Sequence, residues 1–156
     1  MARPYASEMG RLSQTLAWSA EVDIAPLKQA LRTAALWPLR AIGSGGSLSA
    51  AHALAQLHQH YSGKLASVAT PLEAIEEPLG ADVGAWLISA GGSNVDVLAA
   101  AKVLIAREPR QLGVICGRAE SALGELCAAH PDRFFSFTTV AMQHPDLAVQ
   151  QLEYGV

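Results

Sequence analysis

Charge is scarce in this chain of 156 residues, and no stretch of it is strongly basic. Charged residues make up 16%, and the formal net charge is −3. The isoelectric point is near 5.9. The 11 Lys and Arg residues are scattered, with Arg107 and Arg110 the nearest approach to a cluster. A protein that grips nucleic acid by its phosphates carries a basic stripe, so no nucleic-acid partner is expected. Cysteine is equally sparse. Cys116 and Cys127 have no metal-ligand spacing and form no disulfide framework, which suits buried thiols in a reducing compartment. No metal and no cofactor are expected. Long apolar runs are missing as well. None is long enough to cross a bilayer, and the N-terminus has no apolar signal core, so the expected location is cytoplasmic, with no membrane partner.

What is present is apolar and small. Hydrophobic residues make up 51%, and the length suits one domain with a real core. Residues 5–19 carry Met9, Leu12 and Leu16 at roughly helical spacing. A second helix is expected from Ile24 to Ala35, with Pro26 in its first turn and Asp23 as N-cap. Beyond it the pattern alternates. Strands are expected at 37–42, 64–70, 82–89, 111–116 and 134–140, and helices at 48–61, 93–106 and 120–129. Alternation of this kind predicts a mostly parallel sheet covered on both faces.

Two strand–loop–helix units share one grammar. After Ile42 comes Gly43-Ser44-Gly45-Gly46-Ser47, and after Ile88 comes Ser89-Ala90-Gly91-Gly92-Ser93-Asn94. Glycine permits tight turns and close approach of backbone to ligand. Helix N-termini flanked by serine hydroxyls favour an anion, with phosphate the natural candidate. Ligands of open parallel sheets bind beyond the carboxyl ends of the strands, where both loops lie. A dinucleotide fingerprint fails here: Leu48 stands where its third glycine belongs, and Ala69-Thr70 provides no acid for a ribose. A Walker loop fails too, because Gly63-Lys64 is followed by Leu65.

These residues resemble the sugar isomerase (SIS) domain family of phosphosugar-binding proteins. Gly43-Ser44-Gly45-Gly46-Ser47-x-x-Ala50-Ala51 is similar to the family's first loop, and Ile88-Ser89-Ala90-Gly91-Gly92-Ser93-x-x-Asp96 to its second. The Thr70-Pro71-Leu72-Glu73 segment and the leading helices fit the same pattern, over roughly residues 5–140. The resemblance implies an α/β, three-layer α-β-α sandwich with a five-stranded parallel sheet (flavodoxin-like or Rossmann-like) preceded by N-terminal helices. It divides the chain into helices at 1–36 that pack on the domain or a dimer partner, a phosphosugar-binding domain at 37–140 and a tail at 141–156. It also implies a sugar phosphate held by Ser44, Gly45, Gly46, Ser47, Ser89, Gly91, Gly92, Ser93 and Asn94, in a homodimer or beside another SIS-containing partner. Gly91 departs from the pattern by replacing the second motif serine, and Ser93-Asn94 replace its usual Glu-Thr pair.

Catalysis is less defined. An aldose–ketose isomerase moves a proton between adjacent carbons and needs a base beside the sugar. Glu73 is a candidate base or part of an exposed acidic segment with Glu76 and Glu77. His52, one helical turn beyond the first loop, is a ligand contact or a surface histidine, while His58 and His60 are expected to face solvent. His144 is an acid/base candidate or part of a His-Pro turn. Ser93, followed three residues later by Asp96, is expected to cap its helix. Three functions remain open: a phosphosugar-binding or ligand-sensing domain, an active isomerase subunit, and an interaction module without ligand.

Overall fold

In the computed structural model of the protein, the described residues are 24–118 and 120–138, with single positions 10, 13, 17, 20 and 21 before them. The elements are α1 (Ala25–Ala34), β1 (Leu39–Gly43), α2 (Gly46–Ser62), β2 (Ala66–Ala69), α3 (Pro71–Glu76), β3 (Gly84–Ser89), α4 (Val95–Arg107), β4 (Gln111–Cys116), α5 (Ala122–Ala129) and β5 (Phe134–Thr138). All strand pairings are parallel, in the order β2-β1-β3-β4-β5.

Period-two alternation divides the sheet into two packed faces. Ile42, Ala85, Leu87, Leu112 and Val114 point to one side and bury α3, α4 and α5 through Ala74, Val97, Ala101, Leu104 and Leu123. Leu39, Ala41, Trp86 and Ile88 point to the other, where Ala30 and Ala34 of α1 and Ala51 and Ala55 of α2 cover them. Trp86 is fully buried there. It lies across Gly113, whose missing side chain leaves the room: a Cβ at that glycine would sit 2.5 Å from two indole carbons. Gln111 ties the same corner together, its amide donating to Ala30 O at 3.2 Å while its oxygen faces Trp86 Nε1 at 3.5 Å.

Local chemistry sets the helix ends. Thr70 and Glu73 form a reciprocal capping box on α3, with Pro71 in the first turn. Arg107 of α4 caps the other end of α3 by donating to the carbonyls of Ala74, Ile75 and Glu77. Gly63 and Glu108 end α2 and α4 in the left-handed conformation. Two expectations are corrected. The N-cap of α4 is Asn94, whose Oδ1 accepts from Asp96 N at 2.9 Å and Val97 N at 3.1 Å, so Ser93 is not the cap. The N-cap of α1 is Ile24, with no side-chain bond, and Asp23 lies outside the described residues. Most of residues 5–19 and all of 139–156 lie outside them as well. Among the described residues no helix is long and apolar enough to cross a membrane.

His58 also corrects an expectation. It is only 8% exposed, because it shares a helix face with Ala51 and Ala55 at helical spacing. Its Nε2–H donates to Trp37 O at 3.0 Å. Burial lowers its pKa from the ordinary 6.5, against a smaller opposing effect of the Trp37 bond. Such a histidine binds fewer protons folded than unfolded, so its contribution is intact above pH 6.5 and is lost as pH falls toward the lowered folded value. Urea unfolding between pH 7.5 and about 5 should therefore show falling stability. The slope should be shallower in His58→Gln, and equal slopes would remove His58 as the cause.

Candidate functional site

The chain divides between β1 and β3. From β1 it turns through Ser44-Gly45 into α2 on one face and on to β2, while from β3 it turns through residues 90–94 into α4 on the opposite face and on to β4. Neighbouring strands whose connections leave in opposite directions open a crevice at their carboxyl ends. A cavity of about 540 Å³ occupies that crevice, within the range of about 300–1,000 Å³ typical of small-molecule sites.

The first loop is tight. A Cβ at Gly43 would lie 2.4 Å from Ser47 O, and Gly45 adopts φ +56°. Ser47 N donates to Ser44 O at 3.1 Å and Leu48 N to Gly45 O at 3.0 Å, so these amides of the first turn are already occupied. Among the described residues, the hydroxyls of Ser44 and Ser47 have no hydrogen-bond partner. Both residues line the cavity.

The second loop is pinned from behind. Ser89 is buried, and its Oγ accepts from Gly92 N at 3.1 Å, which leaves the hydroxyl proton to be donated. Gly92 has φ +65°, and a Cβ on it would lie 2.2 Å from Ser121 Oγ and 2.7 Å from Cys116 Sγ. Its carbonyl accepts from Leu123 N at 2.9 Å, and Ser89 O accepts from Gly117 N at 3.1 Å. Because Asn94 Oδ1 is engaged by two helix amides, its Nδ2 is the end left to donate toward a ligand.

Of the nine residues expected to hold a ligand, Ser44, Gly46, Ser47, Ser89, Gly91 and Asn94 line this cavity. Gly45, Gly92 and Ser93 do not; Gly45 serves the first turn and Gly92 the packing against α5. Sequence reasoning missed Ala50, Ile88, Ala90, Val97, Ile115 and Gly117, which also line it. Ala50, Ile88 and Ala90 stood inside the quoted motifs, while the glycine directly after β4 was the available signal for Gly117.

The site is electrically neutral in its side chains. Among the described residues that line it none is ionisable, so from these an anion meets hydroxyls, one amide and the positive ends of α2 and α4. Neither Glu73 nor His52 lines it. The carboxylate of Glu73 accepts from Thr70 N at 2.7 Å and Thr70 Oγ1 at 2.9 Å. Those bonds, the backbone one foremost, hold its pKa below the ordinary carboxylate value, with Arg40 adding a weaker pull. His52 is exposed on α2, and His144 lies outside the described residues. Among the described residues no three His, Cys, Asp or Glu converge as metal ligands.

Neither a family model nor a curated protein matches the sequence. Solved structures do match in fold. Tagatose-6-phosphate ketose/aldose isomerase from Escherichia coli superposes with a TM-score of 0.60 at 16% identity, over 94% of this chain and 44% of that one. A protein of E. coli CFT073 gives a TM-score of 0.67 at 17% identity, over 96% of this chain and 82% of that one. NanR of Vibrio vulnificus complexed with ManNAc-6P gives 0.60 at 17% identity, over 96% of this chain and 57% of that one. The chain thus spans less than half of the isomerase and little more than half of NanR. The likeness is one of fold: this chain has the SIS-type fold.

Proposed function

We propose that this chain binds a sugar phosphate between the loops that follow β1 and β3, and that it acts as a ligand-binding or ligand-sensing unit. One observation carries the reading. The hydroxyls of Ser44, Ser47 and Ser89 and the amide of Asn94 meet around a cavity at two helix N-termini, a set of neutral donors suited to phosphate oxygens. The phosphosugars named with two structures of similar fold, the isomerase and NanR, support the same ligand class.

Isomerisation needs a group that takes and returns a proton; among the described residues lining the cavity there is none, so the proposal is confined to binding. Thermal melting with a panel of sugar phosphates tests the proposal. A ligand at about 100 times its dissociation constant should add about 2.7 kcal/mol, a rise of roughly 2–4 °C per kcal/mol for a domain of this size. The rise should be lost in Ser44→Ala. A panel that leaves the wild-type melt unmoved would sink the proposal.

A further inference from the structure

A phosphate between the two loops meets no charged side chain among the described residues that line the cavity. Charge to offset it has to come from beside them, and the topology narrows the choice. All five strands run the same way, so segments leading into a strand lie at one rim of the sheet and segments leaving it at the other. Of the described lysines and arginines, Lys64, Arg110 and Arg133 lead into β2, β4 and β5, and Arg107 ends α4. All four belong to the rim away from the cavity. Arg40 pairs with Glu77, Lys28 and Arg32 belong to α1, and Lys102 stands midway along α4. Arg118 alone among them follows the carboxyl end of a strand.

Its backbone is fixed at the cavity's edge. Gly117, the residue before it, lines the cavity and donates to Ser89 O at 3.1 Å, which joins this turn to the loop after β3. The carbonyl of Arg118 accepts from Ser121 Oγ at 2.9 Å and from Cys116 Sγ at 3.3 Å. Both partners are buried, so the carbonyl is held inward while the side chain stays exposed. Among the described residues the guanidinium has no hydrogen-bond or ion-pair partner. It does not line the cavity. Adjacent α-carbons are only about 3.8 Å apart, however, and an extended arginine side chain is longer than that. Rotation about its own single bonds carries the guanidinium to the cavity mouth.

Resting on the sugar-phosphate reading, we infer that Arg118 is a further binding residue of this site, its guanidinium pairing with the phosphate from the rim. An arginine fork meets two phosphate oxygens at once. The serine hydroxyls and the Asn94 amide then position the phosphate, and Arg118 supplies the charge.

Calorimetric titration of the full chain with glucose 6-phosphate, fructose 6-phosphate and ribose 5-phosphate, at low and high salt, tests this. Arg118→Gln keeps the backbone carbonyl and should melt as the parent does. It should bind the parent's tightest ester about tenfold more weakly, as expected for loss of hydrogen bonds to a charged group. Its affinity should also fall less steeply with salt, because the screened charge is gone. Arg118→Lys should restore the salt response but only part of the affinity. Lys102→Gln, which removes the same charge from an exposed position on α4, should bind like the parent. Parent affinity in Arg118→Gln, an unchanged salt slope, or an equal loss in Lys102→Gln would overturn the inference and leave the sugar-phosphate reading standing. Failure of all three esters to bind the parent would overturn both.

Discussion

Gly92→Ala is expected to cost about 2–4 kcal/mol of stability, combining a left-handed backbone with an overfilled contact. Gly92 has φ +65°, and an added methyl would collide with Ser121 and Cys116. Ser121 has little freedom to retreat, because its Oγ donates to Arg118 O at 2.9 Å and caps α5 by accepting from Gly124 N at 3.2 Å. The neighbouring glycine behaves oppositely. A Cβ at Gly91 would meet only Ser93 Oγ, at 3.9 Å, so Gly91→Ser should stay within about 0.5 kcal/mol of the parent, as an ordinary surface change. Urea denaturation of the two variants checks the contrast. Similar midpoints would show that the second loop can move away from α5.

Trp86→Ala is expected to cost about 3–5 kcal/mol, the usual range for emptying a large buried aromatic site. The indole is fully buried between Ala30, Ala34 and Leu39. Its ring also fills the space above Gly113. α1 should loosen first, since Trp86 and Gln111 are both directed toward it. Chemical denaturation measures the loss, and amide exchange in α1 localises it. A cost below about 1 kcal/mol would mean that the corner collapses to fill the void.

The alternation of apolar runs with glycine-rich turns made the parallel α/β arrangement legible in the sequence. The unbroken apolar run Ala85–Ile88 already described a strand covered on both sides. Element ends were harder, because short polar residues compete for the same cap. Ser93 and Asn94 both suit an N-cap, and only the path of the backbone decides for Asn94. Thr70, read as the end of a strand, is instead half of a capping box whose Thr-Pro-Leu-Glu signature was open to view. His58 was misplaced because it was compared with His60, two residues on. Comparison with Ala51 and Ala55 would have put it inside.

For the candidate site, the sequence marked the two loops, since glycine and serine at strand ends are local features. It could not separate Gly91 from Gly92, because the difference lies in Ser121, about thirty residues away in the chain. Nor could it bring Ile88 and Ile115 together at the cavity. Ile88 and Ile115 become neighbours only through the register of β3 with β4, and neither looks unusual in its own strand.

The connection between β1 and α2 is only Ser44-Gly45, and Gly43 is pressed against the Ser47 carbonyl at its base. The facing loop is tied down at Ser89, Gly92 and Leu123. Walls held in this way need no rearrangement of these two loops to take up the proposed sugar phosphate, so the observed rate of capture is expected to rise in proportion to ligand concentration. Ligands that fit differently would enter at similar speeds and part company in their residence times.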